Sequence, residues 1–143
     1  MKNLQQILDA KKHKELISVA PNRPVFDALI ILAEYKIGAL VVLEGQNLVG
    51  IFSERDYARE VILKGKSSKT THINEIMTTK VLSAKPTDSL DQAMSLMSEK
   101  NIRHLPVVDN GKVIGMLSIG DLVKELIAYQ KDLIKQLESY IIS

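Results

Sequence analysis

The chain has 143 residues, with 19 Lys and Arg against 17 Asp and Glu, three His and no Cys. Its length suits one domain or two small halves sharing a core, and 45% hydrophobic with 25% charged residues is a globular composition, not a disordered one. A net charge of +2 gives no global pull on nucleic acid, and the missing thiols exclude disulfides and thiolate metal sites.

The three histidines, His13, His72 and His104, are far apart and lack ligand spacing. The opening MKNLQQILDAKKHKE lacks the apolar core of a signal peptide, and no apolar run reaches the roughly 18 residues of a membrane span. The expectation is a soluble, cytoplasmic protein. NLQQILDA predicts a short helix packing across the module. LISV is a short extended piece, followed by a Pro-containing turn and a helix that Asn22 can cap, with Pro24 in its opening turn. Val25, Ala28, Leu29, Leu32 and Ala33 recur at helical spacing. ALVVL and LVGIF, joined by EGQN, predict a β-hairpin, and a second helix follows Ser53. The segment KGKSSKTTHINEIMTTK (64–80) reads as a linker with a short helix capped by Thr71.

The same order then returns. VLSA leads into a Pro turn, and a helix capped by Thr87 or Asp88 carries Leu90, Ala93, Met94 and Met97. LPVV and VIGML flank DNGK, and a last helix follows Ser118. Residues 17–63 align with 82–128 without a gap, at an offset of 65 (121 − 56). Pro21/Pro86, Gly50/Gly115, Ser53/Ser118, Asp56/Asp121 and Glu60/Glu125 are identical pairs. The chain is a tandem duplication of a strand–helix–strand–strand–helix unit, with expected divisions of 1–70 and 71–143. Each unit would expose one face of a three-stranded sheet, and two units can bury those faces together. Beyond the repeat, Leu122, Leu126, Tyr129, Leu133, Leu137 and Tyr140 form an apolar stripe that needs a partner in the same chain or in another subunit.

Gly-x-x-Ser-x-x-Asp closes each hairpin. Its plain reading is a capping-box variant, weakened because Asp is shorter than the usual Glu. The other reading points outward. A helix N-terminus offers free N–H groups to an anion, Ser adds a hydroxyl, and a carboxylate one turn in can take two hydrogen bonds from a vicinal diol. A nucleotide presents phosphate and diol together.

The repeat, with GALVVL…LVGIFSERD in one copy and IRHLPVV…VIGMLSIGD in the other, resembles a tandem pair of cystathionine-β-synthase (CBS) domains, a Bateman module of the stand-alone bacterial type, over residues 17–128. The resemblance implies an α+β fold: two pseudo-symmetric units packed through their sheets, with an N-terminal helix and a long C-terminal helix. It also implies two clefts between the units that bind adenine nucleotides such as AMP, ATP or NAD(H), and a homodimer. By position it gives Asp56 and Asp121 the ribose, and Ser53 and Ser118 the helix mouth. Ile37, Gly38 and Ala39, with Ile102, Arg103 and His104, become cleft-lining backbone. Ser18, Val19, Ser83 and Ala84 become strand ends beside adenine. Arg103 and His104 are phosphate candidates in the second copy. The first copy has Gly38 and Ala39 there and offers Arg55, Arg59 and linker charges such as Lys66 and Lys69 instead. Gly120 stands where the first copy has Arg55, so unequal ligands are expected: a mononucleotide such as AMP at Asp121, and NAD(H) or ATP at Asp56. Arg55 and Arg59 equally fit a solvated helix face, and Lys66 and Lys69 an exposed linker.

Nothing in the sequence argues for catalysis. P-loop, dinucleotide-fingerprint and nucleophile-elbow motifs are missing, and the two aspartates belong to separate sites. The expected role is a regulatory module acting on a partner protein in trans. A scaffold with vestigial clefts is the alternative. Nucleic-acid binding is disfavoured by 4% aromatic content and the lack of a basic stripe.

Overall fold

The computed structural model describes residues 1–11 and 15–142; His13 lies outside them. In chain order the elements are α1 (Leu4–Asp9), β1 (Ser18–Val19), α2 (Val25–Tyr35), β2 (Ala39–Glu44), β3 (Asn47–Ser53) and α3 (Glu54–Tyr57), which runs into a π-turn over Ala58–Ile62. Then follow α4 (Ile73–Ile76), α5 (Leu90–Lys100), β4 (His104–Asp109), β5 (Lys112–Ser118) and α6 (Ile119–Ile142). The fold is α+β, as expected.

The chain forms two compact units. The first-repeat unit comprises Glu15–Leu82 with Asn110–Val113; the second-repeat unit comprises Met1–Lys14, Ser83–Asp109 and Ile114–Ser143. This differs from the expected division at 70/71, because each short helix sits in the unit of the repeat it does not directly precede.

Within the first-repeat unit the sheet order is β1-β2-β3, with β1 parallel and β3 antiparallel to β2. β1 pairs Ser18 with Val41 and Val19 with Val42. In the second-repeat unit β4 and β5 form a two-stranded sheet, and the third strand shrinks to one parallel bridge, Ala84 to Val107. That bridge is the Val19–Val42 pair displaced by 65 positions (84 − 19), so the register repeats as well as the order. At the first hairpin tip Gly45 adopts φ 64°; at the second, Asn110 (φ 50°) and Gly111 (φ 79°) adopt the left-handed turn conformation the tight reversal requires.

The two cores correspond position by position. Val25, Ala28, Leu32, Leu40 and Phe52 are buried in one; Leu90, Ala93, Met97, Leu105 and Leu117 are buried in the other. Both long repeat helices end on a left-handed residue, Lys36 (φ 54°) or Asn101 (φ 53°). The next N–H, from Ile37 or Ile102, donates back to Leu32 O or Met97 O. This turn delivers residues 37–39 and 102–104 to the start of the following strand.

Capping departs from expectation in three places. Pro24, not Asn22, is the N-cap of α2 and makes no side-chain bond. Ser89 caps α5 with Gln92 as its reciprocal partner, while Asp88 accepts the Lys85 N–H in the preceding turn. His72 rather than Thr71 is the N-cap of α4. A residue can cap only from extended backbone one step before the first helical residue, and each helix begins one or two positions from where the sequence suggests.

The two short helices are themselves a second repeat. Leu4 and Ile7 are buried in the second-repeat core, Ile73 and Ile76 in the first. Leu4 and Gln5 N–H donate to Asp88 O and Pro86 O; Ile73 and Asn74 N–H donate to Arg23 O and Pro21 O. The acceptors are 65 apart (88 − 23), while the donors are 69 apart (73 − 4). Each helix also covers the repeated hairpin glycine. A Cβ on Gly50 would lie 2.6 Å from Met77 Sδ, and one on Gly115 would lie 2.7 Å from Leu8 Cδ2.

The stripe on α6 divides. Leu122 is buried and Leu126 packs on the core, but Leu133, Leu137 and Tyr140 are 42%, 56% and 84% exposed. Among the described residues, no helix is long and apolar enough to cross a membrane.

Candidate functional site: two helix mouths

In the first-repeat unit, β2 and β3 pair Ala39 with Ser53, bringing the segment after Lys36 beside the end of β3. There the chain turns into α3, and the Glu54 N–H donates to Gly38 O at 3.1 Å. Ser53 has extended backbone (φ −128°, ψ 164°) and caps the helix, its Oγ accepting from the Asp56 N–H at 3.2 Å. Asp56 reciprocates. Its Oδ2 accepts from the Ser53 N–H at 2.9 Å and from Ser53 Oγ at 3.1 Å. Asp therefore completes the box despite being shorter than Glu.

In the second-repeat unit the Ile119 N–H donates to Arg103 O at 2.9 Å. Asp121 N–H donates to Ser118 Oγ at 3.1 Å, and Ser118 N–H to Asp121 Oδ2 at 2.8 Å. These reproduce the two reciprocal backbone bonds of the first mouth and its closing bond; the Ser53 Oγ–Asp56 Oδ2 contact belongs to the first mouth. The structure thus brings together Gly38, Ala39, Ser53 and Asp56 in one unit, and Arg103, Ser118 and Asp121 in the other. His104 opens β4 directly after Arg103.

The strand-end residues are less involved. Ser18 and Val19 pair with β2 at Val41 and Val42, past Ala39. Val19 and Ala84 are buried. Ser83 is exposed just before the Ala84 bridge. Ile37 and Ile102 pack partly against their cores. Among the charged candidates, Arg55 is exposed on α3, Arg59 is exposed in the π-turn, and Arg103 is exposed. The Nζ of Lys69 lies 5.2 Å from the centre of the Phe26 ring. A cation over that ring face is held by its quadrupole. Gly120 is exposed, and a Cβ there would meet only Ser118 Oγ at 3.6 Å.

Two residues that the sequence reading did not single out touch the aspartates. Thr78 Oγ1 donates to Asp56 Oδ1 at 3.3 Å. Thr78 reaches that point because it pairs with Ile51 through both N–H···O bonds, 2.9 and 3.0 Å, along the edge of β3. In the other unit Lys11 Nζ lies 3.0 Å from Asp121 Oδ2 and donates to Met116 O at 2.9 Å. One aspartate meets a neutral hydroxyl, the other a cation. Burial pushes Asp56 above its ordinary value of 3.8, and the Ser53 and Thr78 bonds only partly offset this. Burial also acts to raise Asp121, but the Ser118 N–H and Lys11 together hold it below 3.8.

Carboxylate capacity remains at both mouths. Each oxygen offers about two acceptor sites. Asp56 Oδ1 takes one bond, from Thr78, and Asp121 Oδ1 takes none from the described residues. A diol could be accepted at either. Among the described residues, no group of three or more His, Asp or Glu could hold a metal ion.

The family model of the CBS domain matches the chain twice, over residues 10–63 and 73–128. A CBS domain-containing protein from Arabidopsis thaliana, CBSX3, mitochondrial, is 40% identical over 122 residues, which cover 82% of this chain and 59% of that protein; the chain thus spans less than two thirds of that relative. A solved protein with CBS domains from Burkholderia ambifaria MC40-6 superposes with a TM-score of 0.86 at 50% identity, covering 89% of this chain and 95% of that one. The CBS domain pair of protein MJ0100, solved with 5′-methylthioadenosine and S-adenosyl-L-methionine, gives 0.79 at 28% identity, covering 91% and 98%.

Proposed function

The chain belongs to the CBS domain family, of which it carries two copies, and from that premise we propose that it is a non-catalytic sensor that binds adenine nucleotides and regulates a partner protein in trans. One observation carries the reading: both repeats build the same Ser–Asp helix mouth, closed by the same backbone bond, Glu54 to Gly38 and Ile119 to Arg103. Capping alone would be satisfied by many residue pairs at each helix. Here the carboxylates keep acceptor capacity toward a ligand, and the N–H of Arg55 or Gly120, the first-turn donor that neither the cap nor the closing bond uses, lies beside them. The adenosine-type ligands of the MJ0100 pair support the ligand class.

On this reading Asp56 and Asp121 take ribose hydroxyls, and Ser53 and Ser118 face the ribose–phosphate. Arg55 and Arg59 at the first mouth, and Arg103 and His104 at the second, supply phosphate contacts. The ligands are AMP, ATP or NAD(H), with AMP at the Asp121 mouth and the larger or more charged ligand at Asp56. The protein acts in the cytoplasm as a homodimer. Binding changes a partner only if the ligand prefers one of two states of the module.

Calorimetric titration of ligand-stripped protein with AMP, ATP, NAD⁺, NADH and S-adenosylmethionine tests this, on wild type, Asp56→Ala and Asp121→Ala. Two sites, each lost with its own aspartate, are expected. No binding of any of the five, repeated by equilibrium dialysis, would leave the mouths as plain caps. A second reading, an interaction scaffold, then becomes the better one; the exposed apolar end of α6 favours it.

A further inference from the structure

We propose that Lys11 sets the Asp121 mouth to prefer a phosphorylated nucleoside over the bare nucleoside; the inference rests on the nucleotide-binding role proposed above. Lys11 lies outside the repeat alignment and outside both Gly-x-x-Ser-x-x-Asp motifs. Its Nζ is nevertheless fixed at two points, 3.0 Å from Asp121 Oδ2 and 2.9 Å from Met116 O. The pair is partly shielded, with side chains 29% and 24% exposed.

Charge at the mouth decides the argument. The 24-residue α6 presents about half a positive charge at its N-terminus. A lone Asp121 carboxylate carries a full negative charge, which outweighs that field and repels a phosphate. With Lys11 paired to it, the carboxylate is neutralised and the helix field and Arg103 are left to attract an anion. The carboxylate keeps its function, because Lys11 engages Oδ2 and leaves Oδ1 to a diol.

The first mouth is balanced differently. Its helix, α3 with the π-turn Ala58–Ile62 that continues it, is shorter than the 24-residue α6. Asp56 takes a neutral hydroxyl from Thr78, and positive charge comes from the exposed Arg55 and Arg59. By the spacing of the short helices, Lys80 (11 + 69) is the counterpart of Lys11; it is exposed, and Thr78, two residues earlier, is the one that reaches the carboxylate. The two sites therefore reach a favourable potential by separate means.

The test measures AMP and adenosine binding by calorimetry in the full chain carrying Asp56→Ala, so that only the Asp121 mouth reports. Lys11→Met keeps the aliphatic stem and removes the charge; Lys11→Arg keeps the charge. Thermal unfolding checks that each variant is folded. One unit charge at about 7 Å, at an effective dielectric between protein surface and water, is worth about five- to tenfold in affinity. Lys11→Met should weaken AMP by about that factor while adenosine stays within about twofold. Lys11→Arg should keep AMP within about threefold. An AMP-to-adenosine ratio unchanged in Lys11→Met, or both ligands gaining alike, would overturn the proposal and leave the nucleotide reading standing. Absence of binding by either ligand with Lys11 intact would overturn both.

Discussion

Thr78 Oγ1 donates to Asp56 Oδ1 at 3.3 Å. Asp121, at the matching point of the second repeat, is held by Lys11 instead. Two aspartates that share the same reciprocal capping bonds therefore ionise differently.

Carboxyl titration by NMR should place the Asp56 midpoint above 3.8 and the Asp121 midpoint below it. For Asp121 the folded value is depressed, so its contribution to stability is full above 3.8 and is lost as pH falls through the folded value. Asp56 has the opposite sign. Its folded value is raised, so ionisation opposes folding as pH rises from 3.8 through that value, and acid relieves the penalty. Diol binding at Asp56 should weaken first on acidification. Thr78→Val should move the Asp56 midpoint further up; no movement would show that the hydroxyl does not bond the carboxylate in solution.

Gly50→Ala should destabilise more than Gly115→Ala. The added methyl at Gly50 meets Met77 Sδ at 2.6 Å and the Thr78 carbonyl oxygen at 3.0 Å, and the backbone contact cannot rotate away. At Gly115 it meets the end of one flexible side chain, Leu8. Urea denaturation should give a loss of about 1–3 kcal/mol at Gly50 and less at Gly115.

Gly120→Arg should be accepted structurally. The site has ordinary φ, and the new Cβ meets only Ser118 Oγ at 3.6 Å. Gain in helix propensity is opposed by a cation at the helix N-terminus, so stability should change by less than about 1 kcal/mol. The substitution copies Arg55 into the second mouth. Titration should show ATP gaining there relative to adenosine; a loss of folding would mean that glycine is required at this position.

Leu4→Ala should cost about 2–5 kcal/mol, because Leu4 is fully buried in the second-repeat core. Leu137→Ala, 56% exposed on the same unit's long helix, should fall within about 0.5 kcal/mol of wild type when unfolding is followed at low protein concentration. Similar losses at both positions would mean that the end of α6 is covered in solution.

Much of this fold can be read from the chain because each signal is local. Hairpin turns, alternating β-branched runs and helical spacing act within about ten residues, and the gapless offset of 65 ties Phe52 to Leu117 and Asp56 to Asp121 before any contact is known. The partners of the aspartates were hidden because they act across distance. Thr78 reaches Asp56 by pairing with Ile51, and Lys11 reaches Asp121 from before the first repeat. A signal for the short helices was present but out of frame: NLQQIL and HINEIM match at an offset of 69 (72 − 3), with Gln6 and Glu75 each bonding back to the residue three before. The fixed offset of 65 passes over them.

The placement of α1 has a consequence for the order in which the protein can assemble. During synthesis the strands and helices of Glu15–Leu82 emerge together with α4, the short helix that completes their core. Leu4, by contrast, bonds to Asp88, 84 positions later (88 − 4), and shares a core with Leu117 and Leu122. Its apolar face must remain unsatisfied while most of the chain is made, and its docking closes a long loop at the end. Lys11 follows directly on that helix, so the pair it forms with Asp121 depends on the same docking, and the second mouth acquires that charge only when segments far apart in the chain meet.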